Sequence, residues 1–300
     1  MLRPLVALLA IGAGSAVAET PRVVTDIAPV QSLVAQVMQG TGTPETVIRH
    51  GASPHAYRLR PSDAAALSEA DLIFWVGGNL TPWMPAVLGS LAPDAATVEL
   101  IETEGTIELP FRENAVFDGH SGDDGHDHDH HGSDPHAWLD PENAKIWLNV
   151  IAAELGRADP DNAKTYLTNA AQASAAMEAV AADIRDALAP VRNRTFIVFH
   201  DAYQYFETRF GLSAAGAISL SDASDPSAAR IAEIRDYIAR NEVACVFAEP
   251  QFNPGLIASV LEGSTAKTAI LDPLGTDIAP GPGFHAALLQ QIADRIAGCL

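Results

Sequence analysis

Basic residues are scarce in this chain of 300 residues. It contains 18 Lys and Arg against 38 Asp and Glu, which gives a formal net charge of −20 at pH 7. Because such a surface repels phosphate groups, the composition argues against binding to nucleic acid or to anionic membranes and favours cations as partners. The sequence also lacks a glycine-rich phosphate loop, so any use of ATP would belong to a partner protein.

Long apolar runs are missing as well. Residues 5–13 form a short one, which follows Arg3 and precedes the sequence AVA at 16–18. This order is typical of a secretory signal peptide, and the run is too short to span a membrane. We therefore expect residues 1–18 to be a signal peptide. No cysteine follows the expected cleavage point to carry a lipid, so we expect a free periplasmic protein.

Cysteine is limited to Cys245 and Cys299. An exported chain meets an oxidising compartment, and these two thiols are each other's only candidates for pairing. We predict a disulfide that ties the C-terminal helix to the strand at 244–249. Two buried free thiols are the alternative.

Histidine and aspartate are concentrated in one stretch of the sequence. Its composition is too polar and too rich in glycine to pack a core, while imidazole and carboxylate groups bind divalent metals. We predict an accessory, metal-collecting loop at residues 113–135, with a solvated acidic loop as the alternative. The histidines of this loop are His120, His126, His128, His130 and His131.

His136 has a different setting from the histidines of the loop. It follows Pro135, and after it come the apolar Trp138 and the pair Asp140-Pro141, which is typical of a helix start. Such neighbours hold a histidine in one place, as a binding site requires. An ordinary surface or capping histidine is the alternative.

Short apolar runs alternate with helical segments on both sides of one long helix. This βα alternation is typical of parallel sheets covered by helices, so we predict an α/β fold. The predicted strands are residues 22–25, 46–49 and 72–76 before the long helix, and 196–199, 214–218, 244–249 and 268–271 after it.

The long helix begins at Pro160 and ends near Leu188, with no internal glycine or proline. At 1.5 Å per residue it is about 40 Å long, the length of a whole domain. Its apolar spacing places Leu167 on the buried face. We therefore predict an N-terminal lobe (19–158), a linking helix (159–189) and a C-terminal lobe (190–300).

Three histidines and one carboxylate fall where ligands bind in such sheets, beyond the carboxyl ends of the strands. His55 and His136 lie in loops of the first lobe, while His200 and Asp272 directly follow strands of the second. Neutral imidazoles and a carboxylate in a tetrahedral arrangement suit zinc, whereas manganese or magnesium would favour more oxygen ligands.

Several long motifs resemble the zinc-binding component of bacterial zinc-uptake ABC transporters, the ZnuA-like branch of the metal-receptor cluster of solute-binding proteins. The resemblance covers essentially the whole expected mature chain. The motifs are GASPHAYRLRPSD (51–63), HAWLDP (136–141), FHDAYQYFETRFGL (199–212), VFAEPQF (246–252) and LDPLGT (271–276).

The resemblance implies two Rossmann-like lobes joined by a rigid helix, with metal bound in the cleft by His55, His136 and His200. The family's disulfide positions are similar to Cys245 and Cys299. One departure concerns the fourth ligand, because some zinc-specific relatives carry a glutamate where this chain has Pro54. That ligand is then Asp272, Glu249 or water. Glu249 is predicted to support the site from outside the ligand set.

The function predicted from these features is capture of Zn²⁺ and its delivery to an ABC permease with a cytoplasmic ATPase. We expect a monomer that is not an enzyme, and a rigid linking helix that limits the opening of the cleft. Three alternatives remain: a manganese receptor of the same fold, a periplasmic metal buffer, and a zinc hydrolase that uses the same histidines.

Overall fold

The computed structural model describes residues 20–112, 114–117, 132–219, 226–252 and 254–300. The expected signal peptide and the five histidines of the loop lie outside these ranges. Within them, the strands form two sheets of four strands each, and all strand pairs in both sheets are parallel. In the same ranges, no helix combines the length and the apolar character needed to cross a membrane.

The first sheet is built from the N-terminal part of the described chain. Its elements are β1 (Val23–Thr25), α1 (Ala28–Val37), β2 (Glu45–Thr46), α2 (Pro61–Ser68), β3 (Leu72–Trp75), α3 (Met84–Leu91) and β4 (Ala96–Glu99). The strand order is β2-β1-β3-β4, and the central strands β1 and β3 are buried along their whole length. Burial on both faces explains why these strands are nearly continuous apolar runs.

Two antiparallel-packed helices follow, α4 (Pro141–Ala158) and α5 (Ala163–Leu188), and α5 is the long helix predicted from the sequence. The face that α5 buries differs from the predicted one, because Tyr166 is fully buried while Leu167 is 59% exposed. Tyr166 reaches inward to donate a hydrogen bond to Asp159, at 2.8 Å, just before the helix. The other buried residues of α5 are Ala170, Ala173, Met177, Ala181, Ile184 and Leu188.

The second sheet follows the long helix. Its elements are β5 (Phe196–His200), α6 (Gln204–Phe210), β6 (Gly216–Ser219), α7 (Ala228–Arg240), β7 (Cys245–Ala248), α8 (Pro254–Leu261), β8 (Lys267–Ile270) and α9 (Phe284–Cys299). The strand order is β6-β5-β7-β8, which places β5 and β7 at the centre. The two sheets with flanking helices confirm the predicted two-lobe α/β fold.

The C-terminal helix α9 links the two halves of the molecule. It packs against both α1 and α5. The hydroxyl of Ser32 on α1 accepts a hydrogen bond from the backbone N–H of His285 and donates one to the carbonyl of Pro282, both at 3.0 Å. Cys299, at the end of α9, forms a disulfide with Cys245 on β7, so the predicted disulfide is confirmed.

The two ends of the predicted His-rich loop are described where they join the fold. At the start of the loop, residues 114–117 lie antiparallel against the edge strand β6, with a bridge between Val116 and Gly216. A Cβ atom on Gly216 would lie 2.3 Å from the carbonyl oxygen of Ala115, so this approach requires glycine. At the end of the loop, Ser133 forms a bridge with Pro110.

Candidate metal centre

His200 is the last residue of the central strand β5. Glu249 comes directly after the neighbouring strand β7, so the parallel pairing of β5 and β7 brings the two side chains to the same edge of the sheet. The Nδ1 atom of His200 lies 2.8 Å from Oε1 and 2.9 Å from Oε2 of Glu249. Both side chains are almost completely buried. The pairing of β5 and β7 thus brings Glu249 next to His200, and the Glu249 carboxylate fixes the orientation of the His200 ring.

His136 is held by a carboxylate from its own loop. Oδ1 of Asp134 accepts hydrogen bonds from the backbone N–H of His136, at 3.0 Å, and from its ring atom Nδ1, at 2.6 Å. Asp134 is itself fixed, because its N–H donates to the carbonyl of Leu109 and its carbonyl accepts from the hydroxyl of Tyr205. The sequence placed Asp134 in the His-rich loop, but the structure gives this buried carboxylate a role in orienting His136.

The elements after His136 also hold its position. A single 3-10 turn, Ala137–Leu139, leads into α4, and the side chain of Asp140 caps this helix by accepting from the N–H of Glu142. Arg209 of α6 donates two hydrogen bonds of 2.8 Å to the Asp140 carboxylate. A helix start that is capped and paired in this way resists local movement of the histidine in front of it.

The rings of His136 and His200 meet at their Nε2 atoms, which are 3.3 Å apart. In each ring the Nδ1 atom points at a buried carboxylate, so Nδ1 carries the hydrogen and Nε2 presents its lone pair. Two nitrogen ligands bound at 2.0–2.1 Å to one tetrahedral zinc ion are about 3.3–3.4 Å apart. The Nε2 atoms therefore have the separation of two ligands on one edge of a zinc tetrahedron.

His55 stands beside this pair. Its ring centroid lies 5.7 Å from that of His136, and the rings of His136 and His200 are 5.1 Å apart. The loop that carries His55 is anchored by Trp83, whose indole N–H donates to the carbonyl of Pro54 at 3.0 Å. The structure thus brings together the three histidines that the sequence picked out from separate segments. Within the described part of the chain, however, no three His, Cys, Asp or Glu side chains are already closed around one point as metal ligands are.

Asp272 is buried close by, but its carboxylate is already fully hydrogen-bonded. Oδ1 accepts from the N–H of Leu274 and from the amide of Gln251, at 2.9 and 3.1 Å. Oδ2 accepts from the N–H and the hydroxyl of Thr276, at 2.7 and 2.6 Å. Four hydrogen bonds fill the acceptor positions of the two oxygens, so Asp272 shapes the turn that follows β8.

The electrostatics of the site follow from burial. Burial raises the pKa of Asp134 to about 7, and the positive charge of Arg112 opposes this rise. Burial also raises the pKa of Glu249, and the electrostatic interaction and hydrogen bonds with His200 oppose this rise. A cation bound between the two imidazoles would favour the ionised form of both carboxylates.

Arg112 stands at the end of the segment that leads into the loop, and sequence reasoning missed its role. Its guanidinium donates to the carboxylates of Asp201 and Glu207, and it lies 3.9 Å over the ring of Phe117. Asp201 directly follows His200 in the chain. The spacing between Arg112 and its partners, about 90 residues, offers no local signal in a single sequence.

Comparison with known proteins gives the family of the chain. The model of the family described as ZnuA, zinc-uptake complex component A, periplasmic, matches residues 23–299. This chain belongs to the ZnuA family. It is 43% identical to the high-affinity zinc uptake system protein ZnuA of Paracoccus denitrificans (strain Pd 1222), over all of this chain and 99% of that protein.

A second ZnuA relative, the high-affinity zinc uptake system protein of Brucella abortus (strain 2308), is 40% identical over 98% of this chain and 96% of its own length. Among solved structures, a crystal structure of ZnuA superposes with a TM-score of 0.77 at 25% identity. That match covers 93% of this chain and 99% of the solved one. The family match and the structural match therefore each cover nearly the full length of the chain.

Proposed function

We propose that this ZnuA family member is a periplasmic receptor that binds Zn²⁺ in the cleft through His55, His136 and His200 and delivers it to an ABC permease. The observation that carries the proposal is the 3.3 Å separation of the Nε2 atoms of His136 and His200, with each Nδ1 held by a buried carboxylate. Carboxylate–histidine–zinc arrangements of this kind orient ligands and raise their basicity. Closure around the ion would bring in His55.

Zinc is favoured over manganese by the chemistry of these groups. The two oriented donors are imidazole nitrogens, and the nearby carboxylates Asp134 and Glu249 point at Nδ1 atoms rather than into the space between the rings. Nitrogen-rich tetrahedral sites suit zinc, whereas manganese prefers carboxylates, carbonyls and water. A manganese receptor would therefore have to use oxygen ligands from other groups.

Asp272 is the proposed fourth ligand, with water as the alternative. To reach the ion, the Asp272 carboxylate would have to exchange one of its four hydrogen bonds for a metal bond. Replacing it by Asn should then lower zinc affinity at least about 10-fold, because a charged ligand is lost. An unchanged affinity in this variant, measured by chelator competition, would leave the fourth position to water.

The test of the proposed function is a zinc competition titration against a chelator on three forms of the protein. His200→Ala should weaken zinc binding by more than about 100-fold. Mutation of a mere hydrogen-bond partner of a zinc-bound histidine already lowers metal affinity about 10- to 100-fold, and a ligand contributes more. His50→Ala is the matched control, because this exposed histidine pairs with the carbonyl of Thr276 and should leave the affinity unchanged. Equal affinity in all forms would overturn the cleft site.

A metal buffer is distinguished by stoichiometry. The variant that decides it lacks residues 118–131 but keeps 132–136, because Asp134 is the partner of His136. One tightly bound ion in this variant supports a receptor whose His-rich loop only collects metal. Several weakly bound zinc ions in the full chain, and no tightly bound ion after the deletion, would favour the buffer. Measurable zinc-dependent hydrolysis of an ester substrate would favour the hydrolase instead.

Delivery follows from the same proposal. The permease, with its cytoplasmic ATPase, would dock on the two lobes and open the cleft. Helices α5 and α9 both contact elements of the two halves, so the opening would be limited to small movements of lobes and loops. We propose that the receptor acts as a monomer.

A further inference from the structure

Tyr203 is a buried tyrosine beside the proposed metal site, and its hydroxyl makes no well-formed hydrogen bond. It lies three residues after His200, at the start of α6, and its side chain is 1% exposed. The ring centroids of Tyr203 and His200 are 6.5 Å apart. Its hydroxyl oxygen is buried and makes no well-formed hydrogen bond among the described residues, although the Glu249 carboxylate lies within its reach. A buried hydroxyl without a partner is unfavourable, so it calls for an explanation.

Two carboxylates lie close to this hydroxyl. Burial raises the pKa of the Tyr203 phenol well above its ordinary value, and the negative charges of Glu249 and Asp272 raise it further. A phenol hydroxyl is a hydrogen-bond donor, and here it faces two acceptors.

Only one of the two carboxylates has room for another hydrogen bond. The oxygens of Asp272 already accept two hydrogen bonds each. In Glu249, Oε1 accepts from the backbone N–H and from Nδ1 of His200, whereas Oε2 contacts only Nδ1 among the described hydrogen bonds. A carboxylate oxygen accepts about two hydrogen bonds, so Oε2 of Glu249 keeps one acceptor position.

We propose that Tyr203 is a positioning residue of the metal centre, whose hydroxyl donates to Oε2 of Glu249 when zinc is bound. This inference rests on the proposed function, in which His200 is a ligand. A zinc ion on the His200 ring would make its Nδ1–H a stronger donor and would favour the ionised form of Glu249, whose pKa burial raises. A hydrogen bond from Tyr203 stabilises that charge and holds the carboxylate that orients the ring. The chain Tyr203–Glu249–His200 thus tunes zinc affinity from outside the ligand set.

The decisive variant is Tyr203→Phe, which removes one oxygen atom and keeps the ring. Zinc affinity should fall about 10-fold, the lower end of the range for partners of zinc ligands, because the charged Glu249 stays in place. The zinc-free protein should be as stable as wild type in urea unfolding, or slightly more stable, because an unpartnered buried hydroxyl is lost. Loss of a hydroxyl with only a structural role would not lower zinc affinity while leaving the zinc-free protein as stable as wild type.

Tyr166→Phe is the matched control, since its hydroxyl has a partner in Asp159, at the end of α4. It should lower the stability of the zinc-free protein and leave zinc affinity unchanged. His200→Ala, measured in parallel, separates the two proposals. If His200→Ala binds zinc as tightly as wild type, the proposed function fails. If only His200→Ala weakens binding and Tyr203→Phe stays within about 2-fold of wild type, the role of Tyr203 is overturned.

A spectroscopic measurement tests the same contact directly. In zinc-loaded protein with ¹⁵N-labelled histidine, the Nδ1–H proton of His200 reports the strength of its hydrogen bond to Glu249. We expect its resonance to shift in Tyr203→Phe and to stay in place in Tyr166→Phe. An identical resonance in wild type and Tyr203→Phe would show that the hydroxyl does not act on Glu249, and would overturn the inference.

Discussion

Each of the two facing histidines depends on one buried carboxylate. His136 depends on Asp134, and His200 depends on Glu249. The sequence predicted the supporting role of Glu249, because the residue ends a strand beside the cleft. It did not predict Asp134, since a carboxylate at the edge of an acidic, His-rich run looks like part of that run. Only tertiary structure shows that this aspartate is buried.

The role of Asp134 gives a prediction. Asp134→Asn keeps an acceptor for Nδ1 of His136 but removes the charge, so zinc affinity should fall by about 10- to 100-fold. The measurement is chelator competition at neutral pH. Asp94→Asn, an exposed position on the connection between α3 and β4, is the control and should bind like wild type. An Asp134→Asn protein with wild-type affinity would mean that His136 is not a ligand or needs no charged partner.

His285 gives a prediction about pH. Burial lowers the pKa of His285 from 6.5 to about 4, and its Nε2 contacts the carbonyl of Trp138 at 2.7 Å. The unfolded chain therefore takes up a proton at higher pH than the folded protein does. The resulting stability is fully present above pH 6.5 and is lost as the pH falls towards 4, by about 3 kcal/mol.

The check is urea unfolding of zinc-free protein between pH 4 and pH 7.5. His285→Gln retains a donor for the Trp138 carbonyl and cannot be protonated, so its stability should fall less steeply with acid than that of wild type. Both proteins keep all the other histidines, so the difference between their curves of stability against pH gives the contribution of His285. Parallel curves of unfolding free energy against pH for wild type and His285→Gln would contradict the lowering of the His285 pKa by burial.

At the level of elements, the sequence predicted the βα alternation, the long helix and seven of the eight described strands, with ends shifted by one to a few residues. It missed β4, which is polar and largely exposed and so carries little apolar signal. Tertiary packing also decided that Tyr166 rather than Leu167 is buried, because a local hydrogen bond turns the tyrosine inward.

Gly216 gives a prediction at this scale. Gly216→Ala would force the strand-like residues 114–117 away from the edge of β6, because the added Cβ meets the carbonyl oxygen of Ala115. The free energy of unfolding should fall by about 1–3 kcal/mol, as for other overpacked sites. Gly89→Ala, inside α3 with open space around it, should be neutral or stabilising instead. Equal stability of both variants would show that residues 114–117 are not docked on the sheet.

For the whole molecule, bridging contacts predict a small change in shape on zinc binding. Ser32 of α1 bonds to α9, the indole of Trp138 donates to the carbonyl of Pro273, and His50 contacts the carbonyl of Thr276. These contacts cross from one half of the chain to the other, so the halves should not swing widely apart.

Solution X-ray scattering tests the predicted small change in shape. The measurement uses the variant without residues 118–131, so that zinc binding to the His-rich segment cannot alter the scattering profile. Zinc-free and zinc-loaded profiles should nearly coincide, with a radius of gyration of about 19 Å in both states. A compaction of several ångströms on zinc addition would contradict the expectation and would indicate a hinged closure.

The meeting of His136 and His200 across 64 residues has a consequence for the lifetime of the protein. An ion held by both rings would be a removable cross-link between distant parts of the chain, and it would bind the folded state alone. At a free zinc concentration 1,000 times the dissociation constant, such a ligand adds about 4 kcal/mol to folding stability. Unloaded molecules would open and be degraded sooner, so the amount of receptor surviving in the cell would itself record the zinc supply.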